Sequence, residues 1–413
     1  MTEKLRADWP TPSPSIEMKP SLQFDTFEES VRLAGRRLPR SIFHEVSNGA
    51  ARGITQRENI NAFEELAFRP LAAKWHEPRD LSVCVLGTPM SMPVLIDPIG
   101  GLRIVHPRGG VAVAKAAGDA GVICALSNVV GHSIGTIAAT ATGPIWQQLY
   151  MMHGRAAAER TIEEARQAGC AALAVTVDMA VQPRRRTHMR ISLDNLRRYA
   201  PELMMRPRWT LSFLRDGTQL KLPAATPSNG VLSPRYTVVW EDFTWIRQQW
   251  NGPLVIKGII NADDARRALD AGASAIIVSN HGGLGLDGVR ATLRALPEVV
   301  EAVDGRAEVL IDGGIRRGSD VVKAIALGAR AVLIGRPYVM GLAIAGEAGV
   351  RRVLENFRYE IDHALGLLGC PSISAVDRSY LDLPPIQKCP QCGSYTGLQR
   401  QGPPPSRRVR SVT

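Results

Sequence analysis

Continuous apolar runs recur along this chain from about position 90, and each of them ends in polar or glycine residues. A run without alternating polar positions is typical of a strand that is buried on both faces of a parallel sheet. Eight such runs predict eight strands, at positions 94–96, 122–126, 144–146, 173–175, 254–256, 275–278, 309–311 and 331–334.

Stretches with helical spacing of apolar residues separate most of these runs, for example 157–168, 262–271 and 319–327. Strands that alternate with amphipathic helices form a parallel sheet covered by helices, and eight units predict an α/β fold of the closed (β/α)8 TIM-barrel type. An open doubly wound sheet is the alternative, but the chain has no early glycine-rich nucleotide loop. In a barrel, the polar residues that end the strands meet at the carboxyl-terminal face, where barrel enzymes have their active sites.

The pattern divides the chain into three regions. Residues 1–23 are polar and proline-rich, which predicts a flexible N-terminal arm. Residues 24–375 form the barrel domain, which opens with a helical segment over 24–66. Residues 376–413 lack the pattern and predict a flexible C-terminal tail with a basic end.

Two further segments interrupt the barrel rhythm or carry cysteines. A long insertion over 186–240 follows the fourth strand on the active-site face, and we interpret it as a lid or a partner surface. Cys389 and Cys392 form a CxxC pair in the tail. The pair supplies only two of the four ligands of a structural zinc site, so a surface turn is favoured over a zinc site shared between subunits, and no metal is expected.

Composition fits a globular protein and narrows the choice of partners. Apolar residues make up 45% and charged residues 22%, enough for a sizeable core. The net charge of +11 would suit nucleic acid, but the basic residues are spread out and aromatic residues are only 5%, too few for base stacking. We predict a solvated basic surface and no nucleic-acid partner, with peripheral membrane contact left open.

Targeting signals and cysteines indicate the compartment. No apolar run reaches the roughly 18 residues that a membrane span needs, and residues 1–20 lack the apolar core of a secretory signal. Cys84, Cys124 and Cys170 lie in apolar surroundings and are expected to be buried free thiols. A reducing cytoplasm fits these features best.

Polar residues that follow the strands carry the candidate chemistry. His281, in the sequence SNHGG, follows the sixth strand and is a candidate base, although a satisfied structural histidine is the alternative. Asp178 ends the fourth strand and can stabilise an imidazolium. Lys257 ends the fifth strand, and a buried ammonium requires an anionic partner, such as a cofactor that becomes anionic on reduction. Arg316 and Arg336 follow the last two strands, where barrels bind phosphate, so the residues together predict a phosphate-bearing redox cofactor.

At these residues the chain resembles the FMN-dependent α-hydroxy-acid oxidases and dehydrogenases, a family that includes glycolate oxidase and the flavin L-lactate dehydrogenases. The resemblance covers about 30–375 and is strongest over 254–348. It implies that FMN is the cofactor. The FMN-binding residues that it implies are Pro98, Ser127, Gln148, Thr176, Lys257, Ser279, Asp312, Gly314, Arg316, Gly335 and Arg336.

The same resemblance implies roles at the reaction centre. His281 would be the base, paired with Asp178, and Tyr150 would hydrogen-bond the reacting oxygen of the substrate. Arg185, the middle residue of an arginine triplet, would bind a substrate carboxylate. Lys257 would stand beside the flavin and assist its reduction.

Two substrate-binding positions depart from the hydroxy-acid pattern. Leu284 stands three residues after the histidine, where those oxidases have a carboxylate-binding arginine. Glu45 stands, on an ungapped alignment, where they have a tyrosine that contacts the carboxylate. Losing a charged contact in a buried site costs on the order of 2–5 kcal/mol, so we expect a neutral or aminated substrate. The insertion and the RPRW sequence at 206–209 resemble pre-mycofactocin synthase, a subfamily that deaminates an amine derived from a ribosomal peptide.

Alternative functions remain at this point. The arginine triplet 184–186 could restore the missing charge, which would make the protein an ordinary L-α-hydroxy-acid dehydrogenase or oxidase. A nucleotide dehydrogenase of the inosinate type needs a nucleophilic cysteine in a glycine-serine loop, and no cysteine here has that setting. A non-catalytic flavin-binding scaffold would not need Lys257, Asp178 and His281. We expect a small-molecule substrate, a homo-oligomer, and oxygen, a quinone or a redox protein as electron acceptor.

Overall fold

The computed structural model describes residues 23–151, 154–181, 196–215 and 238–383, together with the backbone of 387–388 and 395–396. Eight parallel strands close into a barrel in which neighbours along the chain pair with each other and the last strand returns to the first. The predicted (β/α)8 barrel is confirmed. Its strands are β1 Val94–Ile96, β2 Cys124–Ser127, β3 Ile145–Leu149, β4 Ala172–Thr176, β5 Leu254–Ile259, β6 Ala275–Val278, β7 Glu308–Ile311 and β8 Ala331–Ile334.

Helices precede the barrel, connect its strands and cover its outer face. They are α1 Phe27–Arg37, α2 Arg40–Ser47, α3 Ile54–Glu64, α4 Leu102–Val105, α5 Gly109–Asp119, α6 Ile134–Ala138, α7 Arg155–Gln167, α8 Leu196–Met204, α9 Pro207–Arg215, α10 Asp242–Gln249, α11 Ala262–Asp270, α12 Thr292–Val303, α13 Gly318–Ala326, α14 Arg336–Ala345 and α15 Glu347–Leu368. Short antiparallel strand pairs join Val83–Val85 to Thr88–Met90, Ala67–Phe68 to Leu381–Asp382, and Gln387–Lys388 to Tyr395–Thr396.

Side chains along each barrel strand alternate between the interior and the helical cover. In β1, Leu95 faces the interior, while Val94 and Ile96 pack against the outer shell. The interior side chains mix small with large and are fully buried, so the barrel is a packed core and not a channel. They are Leu95, Ile123, Ala125, Trp146, Ala172, Ala174, Val255, Ala275, Ile277, Leu310, Ala331 and Leu333.

The β-hairpin at 83–90 closes the amino-terminal end of the barrel. Its residue Val85 belongs to the interior core. Because successive residues of a strand point to opposite faces, the neighbouring Cys84 is exposed. The expectation of a buried Cys84 is therefore wrong, whereas Cys124 and Cys170 are buried free thiols.

The predicted helical segment over 24–66 is confirmed as α1, α2 and α3, which lie beside the carboxyl-terminal mouth of the barrel. The Ala50 amide, between α2 and α3, donates a hydrogen bond to the Gly283 carbonyl at 2.8 Å. The side-chain amides of Asn59 on α3 and Asn280 exchange two hydrogen bonds of 2.8 Å in a buried setting. These contacts hold the loop after β6, which carries His281, against the N-terminal helices.

The chain remains packed somewhat beyond position 375, where the sequence pattern stops. Tyr380 and Leu381 are buried, and Leu381–Asp382 pairs with the strand that follows the N-terminal helices. The CxxC pair at Cys389 and Cys392 lies outside the described residues.

The insertion after β4 contributes α8 and α9 to the described structure. Trp209 of α9 is buried, stacks on Phe213 at 4.7 Å between ring centroids, and donates a hydrogen bond from Nε1 to the Ile104 carbonyl at 3.0 Å. Arg206 donates to the carbonyls of Leu38 and Gly35 at 3.0 and 3.1 Å. The two helices are thus anchored to α1 and α4. Among the described residues, no helix is both long and apolar enough to cross a bilayer.

Candidate active site

The inward-facing positions continue for one layer beyond the apolar core. Two residues after Trp146, Ala174, Val255 and Leu310, the alternation places polar side chains toward the barrel axis at its carboxyl-terminal mouth. The whole layer consists of Asp97, Ser127, Gln148, Thr176, Lys257, Ser279, Asp312 and Gly335. Sequence reasoning selected every member except Asp97, for which it chose the adjacent Pro98. The missed signal was the period of two that runs from the interior residue Leu95 to Asp97.

Lys257 is the centre of this layer and is 3% exposed. Its Nζ donates to Asp97 Oδ1 at 3.0 Å and to Ser279 Oγ at 3.2 Å, and it forms an ion pair with Asp312. Ser279 Oγ in turn donates to Asp312 Oδ2 at 2.8 Å. The buried ammonium is therefore balanced by carboxylates of the protein, as burial of a charge requires.

Gln148 and Thr176 extend the layer on the other side. Gln148 Nε2 donates to Thr176 Oγ1 at 2.9 Å, while the buried Gln148 Oε1 accepts no hydrogen bond from any described residue. The same is true of Asp312 Oδ1. Buried acceptors without donors are costly, so a polar ligand that donates to these two atoms would complete the layer.

His281 lies above the layer between an acid and a phenol. Its Nδ1 is 3.0 Å from Asp178 Oδ1, and its Nε2 is 3.1 Å from the Tyr150 hydroxyl. An Nδ1 proton directed at the carboxylate leaves Nε2 as the acceptor, which is the state that a general base needs. The three residues come from the ends of β3, β4 and β6, so the barrel brings together the base, its partner and the substrate-binding tyrosine that the sequence predicted.

Close backbone packing positions this triad. Gly258 has a φ of +111°, and a Cβ there would lie 2.7 Å from the Asp178 Cβ, so only glycine lets the Asp178 side chain stand in its place. His281 itself has a φ of +58°, in the left-handed region that L residues rarely adopt. Its amide donates to Ser279 Oγ at 3.1 Å, which links the histidine to the lysine layer. Strained backbone at a reactive side chain is typical of a functional site.

Arg316 follows β7 at the edge of the mouth and is the strongest candidate for binding phosphate. Its guanidinium lies over the Phe27 ring at 4.8 Å and donates to the Ile315 carbonyl at 2.8 Å. Burial lowers the pKa of Arg316 to about 10, although Asp320 and Glu28 raise it. Nε of Arg316 is buried and donates to no described residue. A bound anion would stabilise the charge and accept from this free donor.

Arg336 begins α14 directly after β8. Its guanidinium donates to the Gly282 carbonyl at 2.9 Å and to the Asn48 carbonyl at 3.1 Å, so it also links α2 to the histidine loop. Gly335 precedes the first turn of α14, where backbone amides and the helix dipole favour an anion. Gly314 has a φ of +88°, and a Cβ there would lie 2.1 Å from the Asn59 carbonyl, so α3 requires this glycine.

The other predicted substrate-binding residues are Leu284, Glu45 and Arg185. Leu284 directly follows the histidine turn, and its amide donates to the His281 carbonyl at 3.1 Å. Glu45 lies on α2, which Arg336 ties to the same turn through Asn48. Arg185 lies outside the described residues.

The fold and the site define a class: a (β/α)8 barrel with a histidine–carboxylate pair, a buried lysine and two arginines at its carboxyl-terminal mouth. Residues 34–383 match the FMN-dependent dehydrogenase family, and the chain belongs to that family. It is an FMN-dependent enzyme of the α-hydroxy-acid oxidase and dehydrogenase group.

Several named proteins are similar to this chain over most of its length. Pre-mycofactocin synthase of Mycobacterium tuberculosis strain CDC 1551 is 42% identical over 369 residues, which cover 85% of this chain and 92% of that protein. L-lactate oxidase of Nostoc sp. strain PCC 7120 is 39% identical over 366 residues, covering 86% and 97%. Among solved structures, a monotopic membrane protein, (S)-mandelate dehydrogenase, has a TM-score of 0.79 at 33% identity and covers 87% of this chain and 99% of its own.

The residues present suit FMN. The unpartnered acceptor oxygens of Gln148 and Asp312 match the N–H and hydroxyl donors of a flavin and its ribityl chain, and the half-buried Arg316 with its buried, unpaired Nε matches a terminal phosphate. When bound, FMN supplies the two-electron acceptor of the reaction. Lys257, Ser279 and Gln148 would hold its ring, and Arg316, Arg336 and the start of α14 its phosphate.

Proposed function

We propose that this protein dehydrogenates a carbon that bears OH or NH2 on a substrate larger than glycolate or lactate, with the oxidative deamination of a peptide-derived amine as the preferred reaction. The observation that carries the proposal is the complete His281–Asp178–Tyr150 arrangement beside a mouth that has Leu284 and Glu45 in place of carboxylate-binding side chains. The similarity to pre-mycofactocin synthase supports an amine substrate.

The side chains perform the proton chemistry. His281 Nε2 accepts the substrate proton, and the negative charge of Asp178 at Nδ1 stabilises the imidazolium that results. The Tyr150 hydroxyl, 3.1 Å from the same Nε2, can donate to the reacting oxygen or nitrogen of a substrate bound beside the two rings. This geometry orients the substrate and needs no charged anchor on the histidine turn.

The charge at the mouth selects the substrate. Leu284 offers a substrate carboxylate no cation, and Glu45 would repel it if the two approached each other. An ammonium or a neutral amide group would bind more favourably than a carboxylate at this position. The position of α8 and α9 over α1 and α4 gives a larger substrate a further surface on the insertion side.

A second candidate function is an ordinary L-α-hydroxy-acid dehydrogenase or oxidase. The similarity to L-lactate oxidase and the intact histidine, tyrosine and lysine favour it. In that case Arg184, Arg185 or Arg186 would supply the cation that Leu284 lacks.

The test is anaerobic reduction of the bound flavin, which is monitored as the loss of flavin absorbance. We expect glycolate, lactate and mandelate at millimolar concentration to bleach the flavin slowly, and cyclic or peptide-derived amines to bleach it faster. Fast reduction by any of the three acids would overturn the proposal in favour of the second candidate.

A double variant separates the two explanations for slow acid oxidation. Leu284→Arg combined with Glu45→Tyr restores the side chains of the hydroxy-acid pattern and should increase reduction by the acids about 10- to 100-fold, because a restored arginine–carboxylate contact is worth about 1.5–3 kcal/mol. Leu284→Met combined with Glu45→Gln is the matched control that adds no carboxylate contact. If the first variant behaves like the control, the insertion and not these two residues excludes the acids.

We further propose that α8 and α9 contact an anionic membrane surface, which would bring the enzyme near a quinone acceptor. Met204, Met205, Leu211 and Leu214 are more than half exposed on these helices, beside basic residues such as Arg208. Apolar side chains flanked by cations suit the interface of an anionic bilayer.

The wild-type protein should sediment with vesicles that contain anionic lipid, and Leu211→Ser with Leu214→Ser should weaken this several-fold. Equal sedimentation of both proteins would count against the surface.

A further inference from the structure

Asp97 gives the buried lysine a second carboxylate. Lys257 Nζ lies 3.0 Å from Asp97 Oδ1 and also forms an ion pair with Asp312. The Lys257 and Asp312 side chains are 3% and 2% exposed, whereas that of Asp97 is 18% exposed. One ammonium thus stands between two carboxylates, and when all three are charged the group has a net charge of minus one.

Two hydrogen bonds of the Asp97 backbone fix the position of this residue at the end of β1. The Asp97 amide donates to the Ile334 carbonyl of β8 at 2.9 Å, and the hydroxyl of the fully buried Tyr338 donates to the Asp97 carbonyl at 2.9 Å. Its other carboxylate oxygen lies 3.4 Å from the position of a Cβ on Gly335. The carboxylate therefore lies between the lysine and Gly335, at the start of α14.

A second observation indicates that this group faces a ligand. Asp312 Oδ1 is buried and accepts no hydrogen bond from the described residues, as is also true of Gln148 Oε1. A ligand that donates hydrogen bonds to both oxygens would also lie near Lys257. Because a buried charge acts through a medium of low dielectric constant, the second carboxylate will weaken the attraction of Lys257 for any further negative charge.

We propose that Asp97 is a tuning residue that acts through Lys257 and lowers the reduction potential of the bound flavin. Two-electron reduction of FMN with uptake of one proton leaves an anionic ring, and a lysine already shared between two carboxylates stabilises that anion less. The inference rests on the proposed placement of the flavin ring at Lys257, but not on the identity of the substrate. A lower potential would favour transfer of electrons to an acceptor over their retention on the enzyme.

The test is the midpoint potential of the bound flavin, measured by stepwise reduction in equilibrium with a redox dye. Asp97→Asn keeps the shape and removes the charge, so the potential should rise. We expect reduced FMN to gain at least tenfold in affinity relative to oxidised FMN, which corresponds to about 30 mV for a two-electron couple. The affinity of the oxidised holoenzyme for sulfite, which also adds negative charge to the flavin, should increase in parallel.

Controls separate this effect from general changes of charge or fold. Asp304→Asn removes one carboxylate from the end of α12, where the left-handed backbone suits asparagine, and it should leave the potential unchanged. Asp97→Ser is a second neutral variant that should shift the potential in the same direction as Asp97→Asn. An unchanged or lower potential in both Asp97 variants, or loss of FMN from both, would overturn the proposal. None of these outcomes depends on finding the substrate, so they are independent of the proposed reaction.

Discussion

His281→Gln should retain bound FMN and slow its reduction by substrate by a factor of about 10²–10⁴. The glutamine keeps a polar group between Asp178 and Tyr150 but cannot accept the proton that His281 Nε2 accepts. Binding of FMN should persist because the layer beneath, centred on Lys257, is unchanged. The measurement is the rate of anaerobic flavin bleaching by whichever compound reduces the wild-type enzyme fastest.

Two further variants keep this result interpretable. His281→Asn suits the positive φ at this position better than glutamine does and should show the same slow reduction with flavin bound. His363→Gln changes an exposed histidine that stacks on Tyr359 of α15 and should reduce flavin at the wild-type rate. Reduction by both His281 variants at rates close to that of the wild type would remove this histidine from the mechanism.

Asp178→Asn should show a milder form of the same defect. The amide can still accept the Nδ1 hydrogen bond but no longer offers a negative charge to the imidazolium. The loss should therefore appear in the rate of flavin reduction and not in flavin content.

Arg316→Met should weaken FMN binding by about 1.5 to 3.5 orders of magnitude, because removal of the charged partner of a bound anion costs roughly 2–5 kcal/mol. The methionine can keep the packing over Phe27 while the charge is lost. Riboflavin lacks the phosphate, so its affinity for the apoprotein should be nearly the same in wild type and variant. Titration of the apoprotein with each flavin, followed by fluorescence, measures both affinities.

Arg317→Met is the matched control for this experiment. Arg317 is the next residue, but it is exposed and pairs with Glu28 on the surface, so its loss should leave FMN binding within about a factor of three. Equal weakening of FMN and riboflavin by Arg316→Met would show that Arg316 supports the fold and does not bind the phosphate.

The local pattern of the chain determined the architecture. Buried parallel strands need apolar side chains on both faces, so each barrel strand is visible as a continuous run whatever the rest of the chain does. Short motifs at the strand ends also identified His281, Lys257 and Arg316, because a parallel barrel places all strand ends on one face. Even the inner layer could be followed by the period of two, from Trp146 to Gln148 and from Val255 to Lys257.

Only the tertiary structure decided the distances between these residues and showed the contact of Asp97, which the sequence did not predict. The pairing of Lys257 with Asp97 joins residues that lie 160 positions apart, and the triad of Tyr150, Asp178 and His281 spans 131 positions. Closure of the barrel brings them together, and no local pattern records the distance between two strands that are not neighbours in sequence. The exposure of Cys84 also depends on tertiary structure, because apolar neighbours in sequence do not determine which face of a hairpin contacts the core.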